Sequence, residues 1–284
     1  TSAASNSIEN NQTLAGSFFG AWMGSKDEEE IEEPMPAENS CFSAPFLEWH
    51  SEALDIGKTL GEGGMGIVHS ALQNSMGRHV AIKEVRNEVS SPHTIKTLLQ
   101  EAWITGFLEH PNIVPIYDIS KNKRDEPIIL MKQISGNDWA EFFKNPRLVQ
   151  ERNVTHDILM WHFDVFDQVS NAVHYAHSRG IIHRDLKPDN IMIGNYGEVY
   201  VLDWGIAIAL DDRHSSWIPR ASEVRRTTGS PWYMAPEMIG GDGHKLSIQT
   251  DIYLLGAILY ELVTGSPPHK GSALPEILQS IPDF

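Results

Sequence analysis

Residues 183–190 read HRDLKPDN and place an acid, Asp185, a cation, Lys187, and an amide, Asn190, in one short stretch. A carboxylate there can accept or orient the proton of a hydroxyl, and an ammonium can offset charge on an anion. Asp203, in Asp203-Trp204-Gly205, adds a second carboxylate. Carboxylate and amide oxygens together are what a hard divalent cation takes. Upstream stand Lys83, in VAIK (80–83), and the glycines Gly61, Gly63 and Gly66 of GEGGMGIV (61–68). Such a set could bind and position an anionic group beside a hydroxyl. The glycines decide little alone. They fit a dinucleotide turn, a loop over nucleotide phosphates, or a plain flexible turn.

The elements around them narrow the choice. LDIGKTLGEGGMGIVHSAL reads as strand, glycine turn, strand, and RHVAIKEV (78–85) as a third strand, with Val80 and Ile82 alternating with Ala81 and Lys83. A dinucleotide turn opens a helix, and here strand follows, so that reading falls. Residues 91–110 carry Ile95, Leu98, Leu99, Ala102 and Phe107 at helical spacing, and HPN (110–112) stops them. IVPIYDI and PIILMKQI follow as strands. FDVFDQVSNAVHYAHSRG (163–180) predicts an amphipathic helix with Phe166, Val169, Val173 and Ala176 on one face and Gly180 just past its end. NIMIGNYGEVYVLD (190–203) predicts a hairpin turning near Asn195-Tyr196-Gly197. SIQTDIYLLGAILYELVTG (247–265) is apolar nearly all round, which predicts a buried central helix ended by Gly265, Pro267 and Pro268.

Five motifs in order carry a resemblance to the protein kinases: Gly61-x-Gly63-x-x-Gly66-x-Val68, Val80-Ala81-Ile82-Lys83, His183 to Asn190, Asp203-Trp204-Gly205 and Ala235-Pro236-Glu237. The match covers residues 54–284 and resembles the bacterial eukaryotic-like Ser/Thr kinases, with DWG where DFG is usual. It implies an α+β, two-lobed fold: an acidic extension or linker over 1–53, a small β-rich N-lobe over 54–131, a hinge over 132–138, and a mainly helical C-lobe over 139–284. It further implies ATP and Mg²⁺. Lys83 would grip the α- and β-phosphates, paired with Glu101 or, as the alternative, Glu109. Asp185 would accept or orient the substrate hydroxyl, Lys187 would stabilise the transferring phosphoryl group, and Asp203 and Asn190 would hold metal. Gly61, Gly63, Gly66, Val68, Ala81 and Met192 would surround the nucleotide. Met131 would be the gatekeeper, with Gln133 and Ile134 in the hinge. Asp138 would contact the ribose, or instead cap the next helix. Lys187 and GSPWYMAPE (229–237) resemble the Ser/Thr class. Residues 206–234 resemble an activation loop, in which Ser222, Thr227 or Thr228 would carry a phosphate facing Arg184.

Three departures qualify the resemblance. Trp204 replaces Phe, and its indole N–H wants a partner. Thr105 stands one turn after Glu101, where an apolar residue is usual. The chain stops at Phe284, short of the helices that would complete a C-lobe, so Glu237 needs a partner other than their arginine. A completing segment or a homodimer would cover the 247–264 helix. The alternative function is a nucleotide-binding pseudokinase or scaffold.

Bulk properties agree with an enzyme that acts on protein. The 284 residues carry a net charge of −16, and residues 1–50, with nine acids and one lysine, supply half of it. That balance disfavours nucleic acid as a partner. A single cysteine, Cys41, excludes a disulfide within the chain and favours a cytoplasmic setting, and no apolar run is long enough for a membrane span. His174 and His177 share a helix face but lack a third ligand for a metal.

Overall fold

The computed structural model describes residues 54–64, 66–152, 157–211, 217–271 and 274–281. The acidic extension and Cys41 lie outside the described residues.

The first part of the chain is a five-stranded antiparallel sheet in the order β1-β2-β3-β5-β4, formed by β1 (Leu54–Glu62), β2 (Gly66–Gln73), β3 (Arg78–Val85), β4 (Ile116–Lys121) and β5 (Pro127–Lys132). β3 lies in its middle, so Val80, Ala81 and Ile82 are all buried, with neighbours on both edges of the strand. Between β3 and β4 runs α1 (Pro92–Phe107). Ser91 caps it: its Oγ accepts from the Thr94 N–H, Thr94 Oγ1 accepts from the Ser91 N–H, and Pro92 starts the helix. The helix packs Leu98 and Ala102 against Val85 and Ile129 of the sheet.

Asn112 of the HPN stop joins the two lobes. Its Nδ2 donates to Gln168 Oε1 and Val199 O, and its carbonyl accepts from the Val201 N–H.

The second part is mainly helical. It contains β6 (Gly136–Asp138), α2 (Trp139–Lys144), α3 (Arg147–Glu151), α4 (Ile158–Ser178), β7 (Ile181–Ile182), β8 (Ile191–Gly194), β9 (Val199–Val201), β10 (Ile208–Ala209), α5 (Ile248–Thr264) and α6 (Leu274–Ser280). α4 begins earlier than its sequence pattern suggests and ends as expected, with Gly180 at φ 72°. The 190–203 hairpin forms as β8 and β9, with Gly197 at φ 88° in the turn. Its core gathers Val169, Val173, Leu186, Ile191, Leu254 and Ile258.

The 247–265 segment forms the expected central helix, with one side left exposed. α5 buries Leu254, Leu255 and Ile258, but Ile252, Tyr260 and Val263 are exposed, with Val263 at 74 %. Apolar composition reports what a face is able to bury, and packing decides which face does.

No helix among the described residues is long and apolar enough to cross a membrane.

Candidate active site

Of the residues the sequence places around a nucleotide, Val68, Ala81 and Met131 lie in the five-stranded sheet and Met192 lies on β8. In β2 and β3, Val68 pairs with Lys83 and Ser70 with Ala81, while Ala81 and Met131 are partners across β3 and β5. Ala81 is buried, and Val68, Met131 and Met192 are partly buried. Lys83 Nζ donates to Glu101 Oε1 at 2.6 Å and Oε2 at 2.7 Å, and lies 3.8 Å from Asp203 Oδ1. This resolves the choice left by the sequence. Glu101 faces the sheet from within α1, and Glu109 is exposed beyond the helix end. Burial alone would lower the Lys83 pKa. Glu101 and Asp203 more than offset it, so the ammonium is raised above its ordinary value and stays charged.

Gln133 is turned into the N-lobe, where its Oε1 accepts from Ser70 Oγ at 2.7 Å; Ile134 is partly buried beside it. Asp138 caps α2, its Oδ1 accepting from the Glu141 N–H at 2.8 Å. The helix-capping alternative is therefore filled, and burial raises the carboxyl's pKa.

The loop 183–190 holds the acid. Asp185 Oδ1 accepts from the Ser230 N–H at 2.8 Å and Oδ2 from Asn190 Nδ2 at 3.1 Å, while Lys187 Nζ is 3.4 Å from Oδ2 and donates to Ser230 Oγ at 2.6 Å. The carboxylate is thus locked in orientation by a backbone and an amide donor. Asn190 Nδ2 also donates to Asp185 O at 2.8 Å, which commits the amide nitrogen and leaves the amide oxygen as a hard ligand. Asp203 supplies the second such ligand. Burial would raise its pKa, but Lys83, His183 and Lys187 hold it below the usual carboxylate value, so it is ionised at neutral pH. A side chain at Gly205 would press on this pair of acids: a Cβ there would meet Asp203 Oδ1 at 3.2 Å and Glu101 Oε2 at 3.5 Å. The donor set and the space kept open at Gly205 fit a divalent cation.

Sequence reasoning missed the residue that braces this loop. Asp251, fully buried near the start of α5, accepts from the Arg184 N–H at 2.9 Å through Oδ1. Its Oδ2 accepts from the His183 N–H at 2.8 Å and lies 2.8 Å from His177 Nε2. It fixes Arg184 in the left-handed region, at φ 70°, where side-chain residues rarely sit. The available signal was an acid, Asp251, immediately before the apolar run that begins at Ile252. The same bond accounts for His177, which sequence inspection paired with His174. Asp203 also sits at positive φ, 59°.

His183 links the two loops. Its Nδ1 accepts from the Asp185 N–H at 3.1 Å, so Nε2 carries the proton and donates to Leu202 O at 2.9 Å. Trp204 packs on it, ring centroids 4.5 Å apart, and is fully buried; among the described residues its indole N–H has no hydrogen-bond partner. Thr105 fits its apolar setting by donating its hydroxyl back to Glu101 O at 2.7 Å. Glu237 finds its partner in α5, where Thr250 Oγ1 donates to Oε1 at 2.7 Å. Arg184 Nη2 donates to Thr228 Oγ1 at 2.6 Å and Nη1 to Ile206 O at 3.1 Å; burial pushes its pKa down to about 10, and it remains charged. Thr227 Oγ1 accepts instead from the Gly240 N–H, and Ser222 is exposed.

A β-sheet lobe carrying a lysine–glutamate pair, joined to a helical lobe carrying a braced acid beside Asn190 and Asp203, is the arrangement that the five sequence motifs imply. The chain belongs to the protein kinase domain family, whose model matches residues 54–282. It is 36 % identical over 247 residues to the serine/threonine-protein kinase PknD of Protochlamydia amoebophila, covering 81 % of this chain and 25 % of that protein. It is 34 % identical over 238 residues to PknD of Chlamydia pneumoniae, covering 77 % and 25 %. It is also 34 % identical over 227 residues to the probable serine/threonine-protein kinase PknB of Bifidobacterium longum, covering 77 % and 31 %. The chain spans about a quarter to a third of the length of these relatives.

Proposed function

We propose that this chain is an ATP-dependent Ser/Thr protein kinase with its lobes divided at the hinge 132–138. The observation that carries the reading is the joint placement of Lys83–Glu101, Asp185, Asn190 and Asp203, with Lys187 between Asp185 and Ser230. A scaffold would have no need to keep every member.

In the proposed reaction the acceptor Ser or Thr oxygen forms a bond to the γ-phosphorus, and the bond from that phosphorus to the β–γ bridging oxygen breaks, leaving ADP. The hydroxyl proton passes to the Asp185 carboxylate, whose orientation is set by Ser230 and Asn190. Lys187 offsets charge on the moving group, and Lys83 holds the α- and β-phosphates. Asn190 and Asp203 would hold Mg²⁺, which supplies charge neutralisation on the phosphates. The names of the relatives support Ser/Thr acceptors in a protein substrate. The single cysteine supports a cytoplasmic setting for the domain.

Regulation by loop phosphorylation belongs to the same reading. Thr228, already on the Arg184 guanidinium, is the favoured site among Ser222, Thr227 and Thr228. The exposed side of α5 supports a completing segment or a second copy lying over it.

The test is transfer from γ-labelled ATP with Mg²⁺ to the chain itself and to a generic basic protein. Transfer is expected, and Asp185→Asn should abolish it while leaving ATP bound. Wild-type protein that binds ATP and transfers nothing would refute the proposal.

A further inference from the structure

Arg86 is the first residue after β3, and it reaches across the glycine loop. Its Nη1 donates to Glu62 Oε1 at 2.9 Å, and its Nη2 donates to Gly64 O at 2.7 Å. The two acceptors lie on the first half of the loop, and the guanidinium comes from the strand that carries Lys83. The sheet ladder explains the reach: Gly66 is paired with Val85, so the loop re-enters the sheet beside Arg86. Glu62 is the last residue of β1 and pairs with Ile67. Among the described residues between Glu62 and Gly66, the Gly63 N–H donates to Gly66 O at 2.8 Å.

A glycine-rich segment has more conformations to lose than any other when a ligand orders it. A Cβ added at Gly61 would meet nothing within 4 Å, and one at Gly63 only Gly66 O at 3.9 Å, so neither residue is packed from the side. Gly66 is the opposite case, where a Cβ would come within 3.1 Å of Glu84 O and 3.5 Å of Lys83 Cε. The loop is therefore tight against Lys83 at one end and loose at the other, and Arg86 fastens the loose end. A guanidinium suits this task because its planar fork serves two acceptors at once, which a single ammonium does less well.

We propose that Arg86 is a positioning residue that clamps the glycine loop, through Glu62 and Gly64, at the height above Lys83 that ATP requires. Neither residue touches the reacting atoms. Their effect is to remove part of the ordering cost of nucleotide binding in advance. The proposal rests on the kinase reading for the identity of the nucleotide.

The test compares wild type with Arg86→Ala, Glu62→Ala, Arg86→Lys and the charge exchange Glu62→Arg/Arg86→Glu. ATP affinity is measured by titration calorimetry with Mg²⁺, and KM is measured separately for ATP and for the basic protein acceptor. Arg86→Ala and Glu62→Ala should each weaken ATP binding about fivefold, as expected for a charge-assisted bond on a partly exposed loop. The KM for the acceptor should stay within about twofold of wild type, on the same scale of effects. Arg86→Lys should fall between, keeping the ion pair and losing the bond to Gly64. The exchanged pair should recover part of the loss, a rescue that general damage to the sheet would not give. Unchanged ATP affinity in Arg86→Ala would overturn the proposal, as would equal shifts for both substrates with no rescue. Absence of transfer by the wild type would count against the kinase reading alone, since the affinity comparison needs no turnover.

Discussion

Replacing Asp251 with asparagine removes the charge that braces the 183–190 loop without changing its shape. Asp251 is fully buried and takes two backbone N–H groups, from His183 and Arg184, with His177 Nε2 on the same oxygen as His183. Asparagine keeps one oxygen. Whichever backbone N–H faces its NH₂ becomes a buried donor without an acceptor, at about 1–3 kcal/mol. The bonds that survive lose their charge assistance, so the expected total is about 3 kcal/mol. For a domain of this size that lowers the melting temperature by about 6–12 °C. Activity should fall further than stability explains. Arg184 holds φ 70° only while Asp251 grips its N–H, and Asp185, the next residue, carries the proposed base. The assay is a thermal melt beside phosphate transfer at 20 °C, where the variant is still folded. A melting temperature within about 2 °C of wild type would refute the energetic argument, since even one orphaned donor should cost more. Undiminished transfer by the folded variant would refute the view that Asp251 positions the loop.

Other consequences are as direct. Trp204→Phe removes the unpaired indole N–H along with some packing, and the two effects oppose, so the melting temperature should stay within about 3 °C of wild type; Trp204→Ala, with only the loss, should drop it by about 6–15 °C. His162 is buried, its Nδ1 accepts from Trp139 Nε1 at 2.9 Å, and burial pushes its pKa down to about 4. The unfolded chain therefore takes up this proton first: the contribution is whole above about pH 6.5 and is lost as the pH falls toward 4, on the order of 3 kcal/mol. His269 is lowered as well, and adds in the same direction. His162→Asn keeps an acceptor near Nδ1 and should flatten that part of the stability profile; an unchanged slope would show that other groups set it. After incubation with Mg²⁺ and ATP, mass spectrometry should find loop phosphate on Thr228, and Thr228→Ala should lower turnover, whereas phosphate only on Ser222 would point away from Arg184.

The sequence by itself determined the two-lobed α+β class, the strands and helix of the first lobe, and the 163–180 helix, the 190–203 hairpin and the 247–265 helix of the second. These are written in local spacing: alternation in RHVAIKEV, helical periodicity in 92–107, and motifs whose members lie within a few residues of one another. The resemblance to the kinases also narrowed the partner of Lys83 to two glutamates, Glu101 and Glu109. What the sequence did not contain was the pairing of groups far apart in the chain. Asp251 under Arg184, Thr250 on Glu237, Thr228 on Arg184 and Arg86 over Gly64 are each joined by the way the elements pack. A hydrogen bond depends on distances of a few tenths of an ångström, and no local pattern encodes those across a fold. The exposed side of α5 has the same origin. Periodicity marks which residues are apolar, and the neighbours that arrive in space decide which of them leave water.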